Sequence, residues 1–199
     1  MTAPCSPADR SSPTRRTVGN SERGEAAPGS PDREGLGPDE FARAFRNHPA
    51  GVAIVTADAG GGPVGLTVTS VFSVSAEPAL LVFSISGLSS SAPTIKNAET
   101  VVIHLLGAHQ LDVAKLFATR GADRFADRTT WDRLTTGEPY LPAAPVWIRG
   151  RVIDRMEAGG STVVALHALQ ADISAAGAAP LVYHDRRWHH IGEHSRLER

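Results

Sequence analysis

The chain has 199 residues, of which 41% are hydrophobic and 21% charged, and its 20 Lys and Arg against 21 Asp and Glu give a net charge of -1. This length predicts one domain, and the balanced charge argues against non-specific binding to nucleic acid or to an acidic membrane surface. No apolar run approaches the roughly 20 residues of a membrane-spanning helix, and the polar first residues lack a signal peptide's apolar segment, so we expect a cytoplasmic protein. The single Cys5 excludes an internal disulfide and a cysteine-based zinc site.

The composition changes near residue 38. Residues 1–37 contain no aromatic residue and few large apolar ones, and they are rich in Pro, Gly and Ser. Such a segment cannot bury enough apolar surface to offset the entropy cost of ordering. We therefore predict a disordered tail over 1–37, a folded domain over 38–192 that holds every Phe, Trp and Tyr, and a short tail over 193–199.

The first elements of the domain follow from residue spacing and from breakers. Apolar residues recur on one helical face from Pro38 until His48-Pro49 ends the helix. A β-branched run over 51–57 predicts a strand, and the glycines of 58–63 predict a hairpin loop after it. Residues 64–75 alternate apolar and hydroxyl side chains, which is typical of one strand with a single buried face.

The rest of the domain alternates apolar strand patterns with turn residues. It predicts strands over 79–86 and 100–106, separated by a serine-rich loop over 89–98 with Pro93 at a possible helix start. A helix over 109–120 and an irregular stretch over 121–145 follow. The domain then ends with a long hairpin over 146–156 and 161–173 and a last hairpin over 180–191 that turns at Asp185-Arg186. About seven strands, few helices and no β-α-β rhythm favour a mostly antiparallel barrel with helices outside it.

Motifs of several common enzyme classes are missing. The chain has no GxSxG, GxxxxGK[ST] or HExxH segment, and the GGG at 60–62 precedes a strand, which favours a hairpin turn over a phosphate loop. Four histidines cluster near the carboxyl end: His184, His189, His190 and His194. On one strand His184 and His190 would share a face opposite His189, and no carboxylate pattern completes a metal triad. We therefore predict no metal site.

Two stretches are rich in hydroxyl side chains. Thr67, Thr69 and Ser70 lie on one predicted strand, and a second group follows two segments later: Ser89, Ser90, Ser91 and Thr94. These neutral donors would suit the edge of a flavin ring and a phosphate. Hydroxyl groups are also common on solvated sheet faces and at helix caps, and the residues alone favour that second interpretation.

Six segments of the domain occur in an order that is similar to a known family. They are HPAGVAIVTA (48–57), GLTVTSVFSVSAEPALLVFSIS (65–86), SSSAPTIKNAETVVIHLL (89–106), GADRF (121–125), VWIRGRVIDRMEAGGSTVVAL (146–166) and PLVYHDRRW (180–188). In these segments the chain resembles the flavin reductase family, the split-barrel proteins that serve as reductase components of two-component flavin monooxygenases. The resemblance spans nearly all of residues 39–192.

The resemblance implies a mostly β fold, the FMN-binding split barrel, which is a six-stranded antiparallel Greek-key barrel with short flanking helices. It also implies a homodimer with one FMN or FAD per subunit in a groove near the dimer interface. NAD(P)H would be the hydride donor, and a flavin-dependent monooxygenase would be a possible recipient of the reduced flavin.

The same resemblance assigns roles to individual residues. Those along the edge of the flavin ring would be Thr67, Val68, Thr69, Ser70 and, on the neighbouring strand, Ser84. Those around the phosphate would be Ser90, Ser91, Thr94 and Arg124, the last followed by Phe125 of the family's R-F pair. His184 would lie at the open face of the flavin, where the nicotinamide stacks.

Two positions depart from the family pattern. Ser161 stands where a hairpin His is common, and His104 stands where an Asn is common. We interpret His104 as a hydrogen-bonded core residue and not as a catalyst, because most buried polar groups are structural. Two alternatives stay open: a flavin-binding split barrel without efficient NAD(P)H turnover, and another split-barrel oxidoreductase such as a pyridoxamine-phosphate oxidase or a deazaflavin-dependent reductase.

Overall fold

The computed structural model of the protein describes residues 35–173, 175 and 177–197. The tail predicted over 1–37 therefore lies outside the described residues except for its last three positions. In the tail predicted over 193–199, Glu193–Ser195 form a 3-10 turn. None of the helices in the described residues combines the length and the apolar character that a membrane crossing requires.

The described residues form three α-helices and twelve strands. The helices are α1 (Pro38–Arg46), α2 (Ala92–Asn97) and α3 (Leu111–Ala118), the last preceded by a 3-10 turn over Ala108–Gln110. The strands are β1 (Ala50–Gly51), β2 (Ala53–Ala57), β3 (Val64–Val68), β4 (Phe72–Ala76), β5 (Ala79–Ser86), β6 (Thr100–Leu105), β7 (Asp132–Arg133), β8 (Pro139–Tyr140), β9 (Val146–Ala158), β10 (Ser161–Asp172), β11 (Leu181–His184) and β12 (Arg187–His190).

Seven strands form one antiparallel sheet in the order β3-β2-β6-β9-β10-β5-β4. This arrangement confirms the predicted mostly antiparallel β fold, with one strand more than the six that the resemblance implied. A second sheet, in the order β1-β11-β12, lies beside it. The two sheets meet where Val52 N–H donates to Leu181 O at 3.0 Å.

Strand β2 separates two hydrophobic cores. Ala53, Val55 and Ala57 face the larger one, inside the curved sheet, together with alternate residues of β5, β6 and β10 and the apolar side of α2. Val52 and Ile54 face the smaller one, beneath α3. Because both faces of β2 are covered, all five of its residues are buried. The two cores thereby fix β3, the neighbour of β2, against α3.

The hydroxyl of Ser70 bridges the two sides of the curved sheet. Ser70 Oγ accepts from Ser84 N–H at 2.9 Å and donates to Ser84 O at 3.0 Å. Strands β3 and β5 are not neighbours in the sheet. The hydroxyl of Ser70 therefore connects the segment after β3 to β5.

The prediction of one strand over 64–75 was wrong. The chain forms β3 and β4 with a break over 69–71, and β4 pairs with β5 instead of continuing alongside β2. The alternation of apolar and hydroxyl residues runs through the break and hides it. At this point the Ser70 hydroxyl binds the backbone of Ser84, in line with the pairing of β4 and β5.

The predicted sharing of a strand face by His184 and His190 was also wrong. The turn at Asp185-Arg186 reverses the chain, so the two residues lie on different strands. His184 instead lies beside His189, with ring centroids 5.7 Å apart, and His190 lies beside His194 at 4.9 Å. Among the residues that the structure describes, no group of three His, Cys, Asp or Glu side chains is placed to hold a metal ion.

Candidate functional site

A cleft of about 710 Å³ opens between three parts of the chain. Its walls are the carboxyl end of α1 with the residues that follow it, the break between β3 and β4, and the turn of the last hairpin. A volume of this size is typical of small-molecule sites. Thr69, Ser70 and His184, which the sequence assigned to a flavin site, all line it.

Helix α1 forms the first wall. Pro38 begins the helix, and acidic residues in its first turn with Arg43 and Arg46 in its last turn match the helix dipole. None of its residues is buried, and the rings of Phe41 and Phe45, whose centroids are 4.7 Å apart, are more than half exposed. Phe45 therefore presents an aromatic surface to the cleft instead of to a core.

Two contacts attach the end of α1 to the last hairpin. Asp185 N–H donates to Arg46 O at 3.3 Å, and His184 Nε2 lies 3.1 Å from Asn47 Oδ1. Because the amide oxygen is an acceptor, the imidazole donates from Nε2 in this contact. His184 is half-buried, so its ring is held in one orientation at the edge of the cleft.

The break between β3 and β4 forms the second wall. Thr69 is exposed and Ser70 is half-buried, while Val71 and Phe72 add apolar surface. The Ser70 hydroxyl already binds the backbone of Ser84, as described above, and this contact fixes the position of the whole segment. A planar ligand here would meet backbone groups, the Thr69 hydroxyl and the ring of Phe72.

Thr67 and Val68 do not line this cleft. Thr67 Oγ1 donates to Ala114 O of α3 at 2.7 Å, and the side chain of Val68 is buried in the larger core. Ser84 takes part through its backbone contact with Ser70. Of the five residues assigned to the flavin ring edge, the structure thus brings Thr69 and Ser70 to the cleft with His184.

The residues assigned to the phosphate connect to Gly65, at the other end of β3, through Ser91 and Phe117. Ser91 Oγ donates to Gly65 O at 2.9 Å. A Cβ at Gly65 would lie 2.6 Å from the ring of Phe117, so only glycine permits this close packing of α3 on β3. Arg124 Nε in turn donates to Phe117 O at 3.1 Å. Residues 90–94 and Arg124 are thereby linked through Gly65 and Phe117.

Several polar atoms of this second group are free to bind a ligand. Within the described part of the chain, the hydroxyls of Ser90 and Thr94 make no hydrogen bond. Arg124 Nε donates to Phe117 O, and Nη2 donates to Thr119 O, just after α3, at 2.8 Å. A guanidinium has five N–H donors, so other donors remain for a ligand. Phe125 packs edge-on against Phe117 and Trp131, which fixes the loop that carries Arg124.

Two buried titratable side chains, those of His104 and Glu138, lie outside the cleft and outside the group assigned to the phosphate. His104 is fully buried, with Nδ1 3.0 Å from Ile54 O and Nε2 accepting from Leu141 N–H at 3.0 Å. This geometry confirms the interpretation of His104 as a hydrogen-bonded core residue. Burial lowers the pKa of His104 from 6.5 to about 4, although the hydrogen bond to Ile54 acts in the opposite direction.

Glu138 is the second of these buried titratable side chains. Burial alone would raise the pKa of its carboxyl, but hydrogen bonds from Arg149, Thr100 and Thr136 lower it to about 2. Arg149 Nε and Nη2 both lie 2.7 Å from Glu138 Oε1. The carboxylate is therefore charged and fully paired, and it joins β6, β8 and β9 instead of facing a ligand.

Part of the cleft carries no clear signal in the sequence. Phe45, Arg46 and Asn47 received no predicted role, because an amphipathic helix ordinarily turns its aromatic face to a core. Arg186 received no predicted role either. The one available signal was the Asp-Arg pair at a predicted hairpin turn, where Asn-Gly or Asp-Gly is usual.

Comparisons with known proteins identify the family that this chain is similar to. A family model described as a flavin reductase like domain matches residues 45–192. The chain is 46% identical over 160 residues to an NADH:FMN oxidoreductase of Rhodococcus qingshengii, which covers 78% of this chain and 82% of that protein. It is 31% identical over 152 residues to the reductase component of a 4-nitrophenol 4-monooxygenase/4-nitrocatechol 2-monooxygenase of Rhodococcus opacus, covering 76% and 80%. The crystal structure of a flavin reductase domain protein from Arthrobacter sp. FB24 superposes with a TM-score of 0.74 at 31% identity, covering 80% of this chain and 96% of that one.

Proposed function

The chain belongs to the flavin reductase-like domain family, and from this premise we propose that it is an NAD(P)H:flavin oxidoreductase. The observation that carries the proposal is the meeting of Thr69, Ser70 and His184 in one cleft, although the last lies more than a hundred residues from the others. A second group of donors, around Gly65, lies farther along β3. The protein therefore offers one place for a ring system and another for an anion.

The donors of the two places fit FMN. About five residues of nearly extended chain separate Gly65 from Ser70, which corresponds to roughly 16 Å, a span suited to a flavin ring with its ribityl phosphate. Around the break between β3 and β4 the cleft is lined by apolar and neutral polar groups, which suit a flavin ring, and its charged residues lie at the end of α1 and in the turn of the last hairpin. Ser90, Thr94 and Arg124 supply two hydroxyls and a cation for the phosphate.

The residues of this chain would act by positioning. The bound flavin would supply the redox chemistry, as the acceptor of a hydride from the nicotinamide. Thr69, Ser70 and the backbone up to Val71 would orient the ring, and Phe45 and Phe72 would limit the access of water. His184, held by Asn47, would orient the second ligand. This division of labour explains why no acid–base pair is needed in the cleft.

NADH and FMN are the pair that we propose as substrates. The Rhodococcus qingshengii relative is named for both. FAD is the alternative flavin, and NADPH is the alternative nicotinamide dinucleotide. We expect a kcat/KM at least about tenfold higher with NADH and FMN than with NADPH or with FAD, which corresponds to about 1.4 kcal/mol.

Steady-state oxidation of NADH by the purified protein, with and without added FMN, FAD or riboflavin, tests the proposal. Turnover that depends on added flavin supports a reductase with a diffusing flavin. Tight binding of FMN without oxidation of NADH or NADPH would contradict it and favour a flavin-binding barrel. A protein that binds no flavin at all would favour another split-barrel oxidoreductase.

We also propose a homodimer that covers an apolar outer face of the main sheet. Since Leu81 and Phe83 face the core, Val82 faces outward, where it pairs with Phe72. Met156 lies on the same outer face and is 59% exposed, and Phe72 is 61% exposed. Phe72 also lines the cleft, so a second copy on this face would border the flavin site.

A substitution on the outer face but outside the cleft tests the dimer. We expect Met156→Arg to shift the sedimentation of the protein from dimer to monomer and to weaken FMN binding, because the cleft would lose its outer cover. A wild-type monomer with full affinity for FMN would contradict the proposal. So would a Met156→Arg variant that sediments as the wild type does.

A partner and a location complete the proposal. The Rhodococcus opacus relative is a reductase component of a monooxygenase, and we propose that this chain likewise supplies reduced flavin to a monooxygenase. We propose a cytoplasmic location, where NADH is available.

Deletion of residues 1–37 should leave the flavin affinity and the reductase rate unchanged within a few-fold, if the domain over 38–192 is the functional unit.

A further inference from the structure

The turn of the last hairpin has a backbone conformation that its residues disfavour. His184 and Arg187 pair across the turn, and the two residues between them have positive φ angles, 45° at Asp185 and 61° at Arg186. Both central residues of such a turn need φ above zero, which glycine adopts without cost and which Asn and Asp tolerate. Arg is not among these residues. A long side chain at this position therefore points to a role of the side chain itself.

Arg186 lies where a ligand could use it. It lines the cleft, it is exposed, and it makes no ion pair with any other residue in the part of the chain that the structure describes. Arg46 lines the same cleft, and its Nε lies 3.9 Å from Asp185 Oδ1, with both side chains about half exposed. An exposed pair at that distance is weak. The mouth of the cleft thus carries two guanidinium groups against one carboxylate.

These charges are not needed for the phosphate of FMN. The group around Gly65, with Arg124, already provides for that phosphate at the far end of β3. FMN has one phosphate, whereas a nicotinamide dinucleotide carries a pyrophosphate with two negative charges. The planar fork of a guanidinium fits phosphate oxygens two at a time. The second ligand of the proposed reaction is therefore the anion that matches the cleft mouth.

We propose that Arg186, assisted by Arg46, binds the pyrophosphate of NADH and so positions the nicotinamide beside His184. This proposal rests on the proposed reductase function. It makes Arg186 a residue that sets the affinity for the dinucleotide and not for the flavin. The turn with positive φ angles places Arg186 in the lining of the cleft, where this contact would be made.

The variant Arg186→Gly separates a role in binding from a role in folding. Glycine relieves the positive φ, so the melting temperature should rise, while the KM for NADH should rise about tenfold and the Kd for FMN should stay within about twofold. Arg186→Lys, which keeps a charge on a strained backbone, should recover part of the NADH affinity. The matched control is Arg187→Ala, which removes the same charge one residue farther on, outside the cleft, and should change neither constant.

Binding without turnover gives an independent measurement. ADP-ribose contains the pyrophosphate but no nicotinamide, and calorimetry with the FMN-loaded protein should show at least fivefold weaker binding to Arg186→Gly than to the wild type. Reduced nicotinamide mononucleotide, which lacks the pyrophosphate, should be oxidised with the same KM by both proteins.

The failure of this inference and that of the proposed function are distinguishable. A wild-type protein that oxidises neither NADH nor NADPH would overturn the reductase function. A wild-type protein that oxidises NADH, with an Arg186→Gly variant of unchanged KM and unchanged ADP-ribose binding, would overturn only the role of Arg186. A larger loss with NADPH than with NADH would assign Arg186 to the 2′-phosphate and contradict the pyrophosphate contact, and weaker FMN binding would contradict it as well.

Discussion

The buried polar groups beneath the sheet and the polar groups of the cleft follow opposite rules. Beneath the sheet, both imidazole nitrogens of His104 face hydrogen-bonding partners, and the carboxylate of Glu138 binds one arginine and two threonines. In the cleft, Thr69 and Arg186 are exposed and Arg186 has no ion pair with any described residue, while the backbone of the turn is strained. Polar groups that are already satisfied hold the fold, and those left unsatisfied are available to ligands.

This difference separates two kinds of mutation. An unpaired polar group inside a core costs the full free energy of its desolvation, so changes beneath the sheet should alter stability first. Exposed cleft side chains such as those of Thr69 and Arg186 bury little surface, so their loss should alter ligand binding and leave stability nearly unchanged. Arg124 tests the distinction from outside both regions, because it binds backbone carbonyls at the end of α3 and is also proposed to bind the phosphate.

The largest effect should come from His104→Ala. The substitution leaves Ile54 O and Leu141 N–H without their partner in the core and opens a cavity, so we expect a loss of about 4 kcal/mol in the free energy of unfolding. Denaturation in urea measures it. The matched control is His189→Ala, which removes an exposed imidazole and should change stability by less than about 0.5 kcal/mol.

The pH dependence of stability should follow from the same imidazole. Its folded pKa of about 4 lies below the ordinary value of 6.5, so the unfolded chain binds the proton more strongly. The stabilisation is complete above pH 6.5 and is lost as the pH falls towards 4, by up to about 3 kcal/mol. Glu138 acts in a lower window, because its pKa of about 2 means that stability is lost only as the pH falls from about 4.5 towards 2.

Unfolding measured between pH 4 and pH 8 checks this order of events. In His104→Asn, which has no titrating side chain at this position, the decrease between pH 6.5 and 4 should be smaller by the contribution of the imidazole. A wild-type stability that is constant over this range would show that His104 is not held neutral by burial.

The contrast between the two regions also explains what the sequence could predict. Strands, hairpins and the turn at Asp185-Arg186 follow from local alternation and from turn residues, and the structure contains them. The break at 69–71 does not, because it marks the point where the chain changes its pairing partner from β2 to β5. Local sequence patterns therefore predict the regular strands better than the positions where the pairing between strands changes.

The site residues divide in a similar way. Thr69, Ser70 and His184 were assigned from the family resemblance, and they meet in the cleft. The contact that orients His184, with Asn47, spans 137 positions and leaves no local signal. Arg186 was missed because its strain appears only in backbone angles. What could not be predicted is tertiary: which distant residues share one wall of the cleft.

Arg124→Ala should produce a smaller effect, on binding. Loss of the cation should weaken FMN binding by about 2 kcal/mol if the remaining N–H donors contact the phosphate. Because Arg124 also binds the last carbonyls of α3, we expect a stability loss of about 1 kcal/mol as well. Titration with FMN and with riboflavin, which lacks a phosphate, separates the two effects. An equal loss for both ligands would show that Arg124 acts only through the fold.

The smallest effect should come from His184→Ala. His184 lies at the edge of the cleft with its proton on Nε2 directed to Asn47, and hydride transfer needs no proton donor, so its role would be to orient the nicotinamide. We expect the KM for NADH to rise, or kcat to fall, by about tenfold, which corresponds to roughly 1.4 kcal/mol, while the affinity for FMN changes little. Asn47→Ala keeps the imidazole but frees its orientation, and it should give a loss of the same kind and about half the size in free energy. Unchanged NADH kinetics with a lower melting temperature would mean that His184 only joins the last hairpin to α1 and has a structural role.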